Sequence, residues 1–337
     1  MEKILVTGGA GFVGFNVASK LIQNYRVSIL DNFSNYYSPL LKWKNATDLQ
    51  KKGVKVIQAD ILNKKRLMKI CKKINVEKII HLAAQPGVRY STKNPTYTLK
   101  VNIEGTSNLL EVARQLEIDR IILTSSSSVY GKVKYLPMNE KHPTNPKSYY
   151  GASKLSLENL VKVTNQLYPE LETVIFRPFT IVGQRQRPDM AINIFVSKIL
   201  SGEKITIFGD GNQTRDWTHV DNFVQATKLA LEKESAKQQI FNIGAGTRIS
   251  VNQVLEMIVE ITCGNLEIEY QKYNKADVKD TFADISKAKR LLGYKPKKNL
   301  FDAIQEFKDY WEELQQEKIL FNQKDSLINL RPTKIPT

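Results

Sequence analysis

The chain has 337 residues, of which 42% are hydrophobic and 25% are charged. At about 150 residues per domain this length predicts roughly two domains, and the composition excludes disordered, collagen-like and disulfide-stapled proteins. The 50 Lys and Arg residues outnumber the 34 Asp and Glu residues, which gives a net charge of +16. Such a charge is compatible with nucleotides, nucleic acids and acidic membranes, and it selects none of them.

The cysteines and the start of the chain bear on the compartment. Cys71 and Cys263 lie far apart and form neither a CxxC motif nor a zinc-binding spacing. Residues 1–6 run directly into a glycine turn, without the apolar core and cleavage site of a signal peptide. No stretch approaches the ~18 apolar residues of a membrane span. We therefore expect a cytoplasmic, reducing location and no membrane partner.

The first half of the chain alternates short apolar runs with longer amphipathic segments. The predicted strands are 4–6, 27–30, 54–57, 79–82, 121–123 and 173–176. The predicted crossover helices include 12–23, 64–74 and 96–116. Strands that alternate with helices form parallel sheets covered on both faces. The pattern predicts a doubly wound α/β sheet of the Rossmann type.

Pro, Gly, Gln and Arg are concentrated in residues 178–189, where we expect a change of domain. Beyond it the pattern predicts helices at 191–200, 222–233, 251–262, 285–292 and 301–314, with strands at 205–208 and 239–243. These elements describe a smaller mixed α/β lobe. The predicted organisation is a Rossmann domain over 1–178 with a returning segment at about 216–245, a second lobe over 179–320 and an irregular tail over 321–337.

A glycine motif follows the first predicted strand and opens the first helix. Gly8, Gly11 and Gly14 are spaced G-x-x-G-x-x-G, which lets a pyrophosphate approach the backbone at a helix N-terminus. Asp31 ends the second strand twenty residues after Gly11, where a carboxylate can hold a ribose diol. Because this charge repels a 2′-phosphate and no arginine follows it directly, we predict NAD rather than NADP. Asp60, at the end of the third strand, is a candidate acceptor for the adenine amino group.

Tyr150 and Lys154 stand four positions apart and therefore share one face of a predicted helix. A tyrosine with its usual pKa near 10 is a poor base at pH 7, but a neighbouring Lys⁺ and a positively charged nicotinamide favour the phenolate. Ser126 lies just past the strand at 121–123, at the sheet edge where such folds bind ligands. These three residues are the predicted catalytic set, with Tyr150 removing a proton from an alcohol.

With these motifs the sequence resembles the extended short-chain dehydrogenase/reductase family, in particular its NAD-dependent nucleotide-sugar epimerases and dehydratases. The matching segments are Thr7–Gly14, Asp31, Asp60-Ile61, His81–Ala84, Ser125–Gly131, Tyr150–Lys154, Arg177-Pro178, Gly209–Gly211, Arg215-Asp216 and Ala283–Lys287. The resemblance implies a Ser, Tyr, Lys triad, a C-terminal lobe that holds the substrate's nucleotide diphosphate, and a homodimer formed through helices 96–116 and 150–167. The predicted cofactor-binding residues are Gly8, Gly11, Phe12, Val13, Gly14, Asp31, Asn32, Asp60, Ile61, Leu82, Ala83, Ala84, Tyr150 and Lys154.

The two residues that follow the predicted catalytic serine distinguish between the reactions of the family. Dehydratases of the family typically carry a Thr-Asp-Glu sequence after this strand. The decarboxylases that make UDP-xylose carry a glutamate two places after the catalytic residue. This chain has Ser127 and Ser128. Without a carboxyl group for acid and base chemistry at C5 and C6, the site is limited to oxidising C4 and reducing it again. We therefore expect an epimerase.

Three segments are similar to UDP-glucuronate 4-epimerases: 85–91, Phe179-Thr180 and 187–191. A uronate carboxylate requires hydroxyl or cationic donors. The predicted substrate-binding residues are Arg89, Ser127, Ser128, Thr180, Arg187, Asp277 and, for a phosphate, Arg215. The alternatives are a UDP-glucose or UDP-N-acetylglucosamine 4-epimerase and, more remotely, a non-catalytic NAD-binding or RNA-associated protein. The intact catalytic set and the absence of an RNA-binding motif argue against the last alternative and against a specific nucleic-acid partner.

Overall fold

The computed structural model describes residues 1–272 and 278–317. The first half contains β1 (Lys3–Thr7), α1 (Phe12–Leu21), β2 (Arg26–Asp31), α2 (Pro39–Lys51), β3 (Lys55–Gln58), α3 (Lys64–Ile74), β4 (Lys78–His81), α4 (Val88–Lys93), α5 (Pro95–Leu99), α6 (Gly105–Gln115), β5 (Arg120–Thr124), α7 (Tyr149–Leu167) and β6 (Glu172–Pro178). A π-helical turn at Lys100–Glu104 joins α5 to α6.

The second half is built from shorter strands and five helices in the described residues. Its elements are β7 (Thr180–Val182), α8 (Ala191–Leu200), β8 (Ile205–Phe208), β9 (Thr214–Arg215), β10 (Trp217–His219), α9 (Val220–Glu232), β11 (Gln239–Ile243), β12 (Ile249–Ser250), α10 (Val251–Thr262), β13 (Ile268–Gln271), α11 (Ser286–Leu292) and α12 (Leu300–Gln316). No helix within the described ranges is both long and apolar enough to cross a bilayer.

Seven parallel strands form the main sheet, in the order β11-β6-β5-β4-β1-β2-β3. Successive residues of β1 point to opposite faces, and both faces are covered: Ile4 and Val6 belong to one buried cluster, and Leu5 belongs to another. The predicted doubly wound α/β fold is therefore confirmed. The last strand of the sheet, β11, comes from the second half of the chain.

The order of the strands reverses between β1 and β4, and a doubly wound sheet binds its ligands at such a point, outside the carboxyl ends of the strands. The buried His81, at the end of β4, joins the neighbouring elements here. Its two ring nitrogens lie 2.8 Å from the hydroxyl of Thr7, at the end of β1, and 3.1 Å from that of Thr106 on α6. This edge carries the glycine turn and the serine-rich segment that follows β5.

The remaining short strands and α8, α10 and α12 pack around a separate apolar cluster, which includes Val196, Leu255 and Phe307. Strand β8 pairs with β13, β9 with β12, and β7 with β10. Since β7 directly follows β6 of the main sheet, the lobe begins beside the carboxyl edge. A cleft between the sheet edge and this lobe results.

Candidate active site

A cavity of about 410 Å³ opens at the carboxyl edge of the sheet, within the usual size range of small-molecule sites. Most of the predicted site residues line it, although they come from distant parts of the chain. They are Gly8, Gly11, Phe12, Val13, Gly14, Asp31, Asn32, Asp60, Ile61, Leu82, Ala83, Ala84, Ser126, Ser127, Ser128, Tyr150, Lys154, Thr180 and Arg187.

Three predicted substrate residues are not among those that line the cavity. The guanidinium of Arg89 lies over the ring of Phe208, 4.6 Å from its centre. Arg215 donates a hydrogen bond of 2.8 Å to the backbone carbonyl of Lys279. Asp277 lies outside the described residues. The role of Arg89 at a sugar carboxylate therefore has no support from its position.

The glycine turn packs tightly against neighbouring backbone, which requires that side chains be absent where these segments meet. Gly8 has a φ of +69°, and a Cβ there would lie 2.7 Å from the backbone nitrogen of Ala83. A Cβ on Gly14 would collide with the carbonyl oxygen of Gly8. The first turn of α1 follows directly and borders the cavity, where its free N–H groups favour an anion. The turn fits a pyrophosphate.

Asp31 reaches the cavity from the end of β2. Its carboxylate accepts hydrogen bonds from the backbone N–H groups of Ala10, at 3.1 Å, and Phe33, at 2.9 Å. Burial raises the pKa of Asp31, and the nearby charge of Lys42 acts in the opposite direction. The ammonium of Lys42 donates to the backbone carbonyl of Ser34 at 2.7 Å. A held carboxylate at this point suits the ribose of a dinucleotide.

A second carboxylate, Asp60, lines the same part of the cavity. It accepts hydrogen bonds from the Asn32 amide, at 2.9 Å, and from the backbone N–H of Leu62, at 2.8 Å. The two predicted residues Asn32 and Asp60 are thus joined to each other across the ends of β2 and β3. This contact orients the carboxylate at the edge of the cavity.

The catalytic set is brought together by the start of α7 and the end of β5. The Ser148 hydroxyl caps α7 by accepting from the N–H of Gly151 at 3.0 Å, which places Tyr150 and Lys154 in the first turns. The Lys154 ammonium donates to the backbone carbonyl of Thr124 at 2.7 Å. The Ser126 side chain acts to lower the pKa of the Tyr150 phenol, which shows that the two groups lie near each other. The three predicted residues therefore form one cluster.

The charges in this cluster differ from the expectation above. Burial raises the pKa of Tyr150, while the hydrogen bond to Ser126 and the charge of Arg187 act to lower it. Burial also lowers the pKa of Lys154 to about 8. Both shifts have the same cause, because a low-dielectric site disfavours the charged form of each group. The protein's own groups therefore do not produce the expected low pKa of Tyr150.

Hydroxyl groups surround the position next to Tyr150. After β5 a short 3-10 turn begins, in which the Ser126 hydroxyl accepts from the N–H of Ser128 at 3.1 Å. Thr180 lines the cavity from β7, in the second lobe. These hydroxyls therefore line the same cavity as Tyr150.

Arg187 adds a cation to the same cavity from the loop before α8. It is paired with Asp189, with 2.9 Å between Nε and Oδ1. The Tyr36 hydroxyl donates to the other oxygen of Asp189 at 2.8 Å. The two halves of the chain therefore meet at this ion pair, and the pair holds the guanidinium at the cavity wall.

The sequence analysis did not anticipate several residues that line the cavity. They are Tyr36, Tyr37, Lys42, Tyr97 and Met190. The two adjacent tyrosines lie in the loop that follows Asp31, so their position directly after a strand end was an available signal. No signal in the sequence distinguished Lys42 as a site residue, since lysines are abundant in this chain.

A family model described as GDP-mannose 4,6 dehydratase matches residues 5–307. This chain belongs to that family. The match confirms the resemblance to extended short-chain dehydrogenases/reductases. The predicted glycine turn and the predicted Ser, Tyr and Lys residues lie at the cavity described above.

Named relatives in the family are sugar-nucleotide epimerases. A protein of Methanocaldococcus jannaschii with the provisional name UDP-glucose 4-epimerase is 41% identical over 306 residues, which cover 89% of this chain and 95% of the relative. The UDP-glucuronate 4-epimerase of Thermodesulfobacterium geofontis is 36% identical over 307 residues, covering 90% and 94%. A crystal structure of the UDP-glucuronic acid 4-epimerase of Bacillus cereus, in complex with UDP-glucuronic acid and NAD, superposes with a TM-score of 0.88 at 37% identity, covering 93% and 99%.

Proposed function

We propose that this enzyme, an NAD-dependent UDP-sugar 4-epimerase, acts on UDP-glucuronate and converts it reversibly into UDP-galacturonate. The observation that carries this choice of sugar is the set of donors beside Tyr150. Ser127, Ser128, Thr180 and Arg187 line the same cavity as the catalytic cluster. Hydroxyl and guanidinium groups are suitable donors for a carboxylate. A neutral sugar would offer the hydroxyls of Ser127, Ser128 and Thr180 no charged acceptor.

The residues present fit NAD. The glycine turn leaves space for a pyrophosphate at the start of α1, and Asp31 offers a carboxylate for a ribose. NAD held by these residues would supply reversible hydride transfer at C4 of the sugar. The reaction therefore regenerates the cofactor, and we expect no net accumulation of NADH.

The chain's own part in the reaction is proton transfer and orientation. Tyr150 removes the proton from the O4 hydroxyl and later gives it back, while Ser126 holds O4 by a hydrogen bond. Lys154 supplies a positive charge beside the phenol and binds the ribose next to the nicotinamide. Since burial raises the pKa of Tyr150, the bound positive charge of the oxidised nicotinamide is needed to favour the phenolate.

Replacing Asp31 by alanine is expected to weaken NAD binding by about 10- to 100-fold, because a hydrogen bond to a charged group contributes ~1.5–3 kcal/mol. The measurement is titration of the apoprotein with NAD, together with the NAD released when each purified protein is denatured. Asp119→Ala, on an exposed site at the opposite edge of the sheet, is the matched control. An unchanged affinity in Asp31→Ala would remove the assigned ribose contact.

The substrate is tested by incubating the purified enzyme separately with UDP-glucuronate, UDP-glucose and UDP-N-acetylglucosamine, and identifying the products by NMR. UDP-galacturonate formation at the highest rate is the expected result. The provisional name of the Methanocaldococcus relative favours UDP-glucose as the second candidate. Interconversion of UDP-glucose and UDP-galactose with UDP-glucuronate left untouched would establish that candidate instead.

We also propose that the enzyme is a homodimer formed through α5, α6 and α7. Helix α7 exposes two large apolar side chains on this face: Val163 is 52% exposed and Leu167 64%. Val163 and Leu167 stand four residues apart on one face of α7.

Light scattering after size exclusion should give the dimer mass for the wild type and the monomer mass for Val163→Glu. Phe301→Glu, which changes a 41% exposed side chain on α12, should remain dimeric. A wild-type monomer contradicts this assembly.

A further inference from the structure

A buried salt bridge, in which both charged groups are hydrogen-bonded, lies next to the catalytic cluster. Glu158 on α7 and Arg177 on β6 are both buried, with 5% of each side chain exposed. The pairing is bidentate, with 2.8 Å between Arg177 Nε and Glu158 Oε1 and 2.6 Å between the second guanidinium nitrogen and Oε2. Arg177 also donates to the Tyr130 hydroxyl at 3.1 Å. The mechanism above uses none of these groups.

The Glu158 carboxylate has a third partner that connects it to the active site. The hydroxyl of Ser125 donates to Glu158 Oε1 at 2.5 Å. Ser125 is buried and precedes Ser126 directly, so a bond that fixes one residue restricts the backbone of the next. The N–H of Ser125 also donates to the carbonyl of Phe176, on β6, at 2.7 Å. The serine segment is thus held from two sides.

Glu158 lies on the same face of α7 as the two catalytic residues of that helix. Tyr150, Lys154 and Glu158 follow one another at intervals of four residues and share one face of α7. Lys154 binds the carbonyl of Thr124, and Glu158 binds the side chain of Ser125. Two consecutive residues, the last of β5 and the one that follows it, are therefore attached to two consecutive turns of the helix that carries Tyr150.

We propose that Glu158 is a positioning residue which, through Ser125, sets the distance between the Ser126 hydroxyl and the Tyr150 phenol. The inference rests on the proposed function. A buried ion pair often contributes little to the free energy of folding, because the cost of desolvation offsets the attraction between the charges. A carboxylate that shares one oxygen between Arg177 and Ser125 instead orients both partners. Arg177 keeps Glu158 charged and in place, and Glu158 holds the serine segment.

Ser125→Ala tests the contact without leaving a buried charge unpaired, since the bidentate Glu158–Arg177 pair remains. In the full chain we expect kcat for UDP-glucuronate epimerisation to fall by about 10- to 100-fold, the loss typical of small displacements in a catalytic site. KM should stay within about twofold, because substrate contacts are retained. Burial raises the pKa of Tyr150, and the interaction with the Ser126 side chain acts in the opposite direction. Loosening this interaction should shift the acidic limb of the kcat profile to higher pH, which a loss of stability alone does not do.

A second variant and two controls separate positioning from stability. Glu158→Gln should show the same kcat defect together with a lower melting temperature. Glu172→Gln breaks another Arg–Glu pair, between β5 and β6 at the opposite edge of the sheet, where Arg120 Nε lies 2.8 Å from Glu172. It should lower the melting temperature and leave kcat unchanged. Ser156→Ala should behave as wild type, because the Ser156 hydroxyl bonds only the backbone of α7.

The outcomes distinguish this inference from the proposed function. A wild-type kcat and pH profile in Ser125→Ala overturns the positioning role while the epimerase assignment stands. The same kcat loss in Glu172→Gln as in Glu158→Gln also overturns it, because the effect would then come from the loss of any Arg–Glu pair in the sheet. A wild-type enzyme that converts none of the three UDP-sugars overturns the proposed function, and the positioning role with it.

Discussion

Replacing Tyr150 by phenylalanine is expected to lower kcat by at least ~10²–10⁴-fold, the usual contribution of a positioned general base. Phenylalanine keeps the ring and removes only the hydroxyl that accepts the O4 proton. Lys154 is a poor substitute for this base, because with a pKa of about 8 its amine is largely protonated at pH 7 and has no free lone pair. Binding of UDP-glucuronate should therefore remain nearly unchanged while turnover is lost.

The measurement combines steady-state kinetics by NMR with a titration of UDP-glucuronate binding. Tyr149→Phe is a matched control, because Tyr149 precedes Tyr150 on the same helix and is 49% exposed. It should keep wild-type turnover. Wild-type turnover in Tyr150→Phe would remove the assignment of Tyr150 as the base, and loss of substrate binding would point to a structural defect instead.

Removing a hydroxyl near the sugar carboxylate should make the enzyme lose CO2 from its substrate. Oxidation at C4 turns a glucuronate into a β-keto acid, which decarboxylates when the bond to the carboxylate aligns with the carbonyl π system. We infer that Ser127 and Thr180 hold the carboxylate away from this alignment while the ring turns. Each charge-assisted hydrogen bond contributes ~1.5–3 kcal/mol, which corresponds to about 10- to 100-fold in the ratio of products.

Thr180→Val is therefore expected to raise the yield of the UDP-4-keto-pentose relative to UDP-galacturonate by about tenfold or more. Ser127→Ala should act in the same direction. Thr92→Val, an exposed position on α4 whose hydroxyl bonds only its own helix, should leave the product ratio unchanged. The products are quantified by NMR and by CO2 release. A ratio that stays at the wild-type value in both variants contradicts the carboxylate contacts.

Strong local signals made several elements predictable from sequence. Helices Lys64–Ile74, Ala191–Leu200 and Val251–Thr262 begin and end at the predicted residues. The last of these has a capping box formed by Ser250 and Gln253, and its apolar positions recur at helical spacing. Periodicity and capping act within a few residues, so the sequence carries them directly.

Helix α2 was not predicted, because its sequence lacks a strong local signal. It is largely polar, and only a narrow face of it is buried, including Leu41, Ala46 and Leu49. Lys42 lies on the same helix and is 5% exposed, inside the cavity beside Asp31. A lysine in a basic chain usually covers a solvated surface. Only the packing of α2 against the sheet places this one at the site.

The sequence by itself determined the class of fold, the glycine turn and the helix that carries Tyr150 and Lys154, because each depends on spacings of a few residues. The tertiary structure decided which distant side chains join that helix. It joined Glu158 to Ser125, paired Arg187 with Asp189, and placed Arg89 over Phe208 rather than in the cavity. Contacts of this kind depend on how strands, helices and loops pack, and the spacing of residues along the chain does not record that packing.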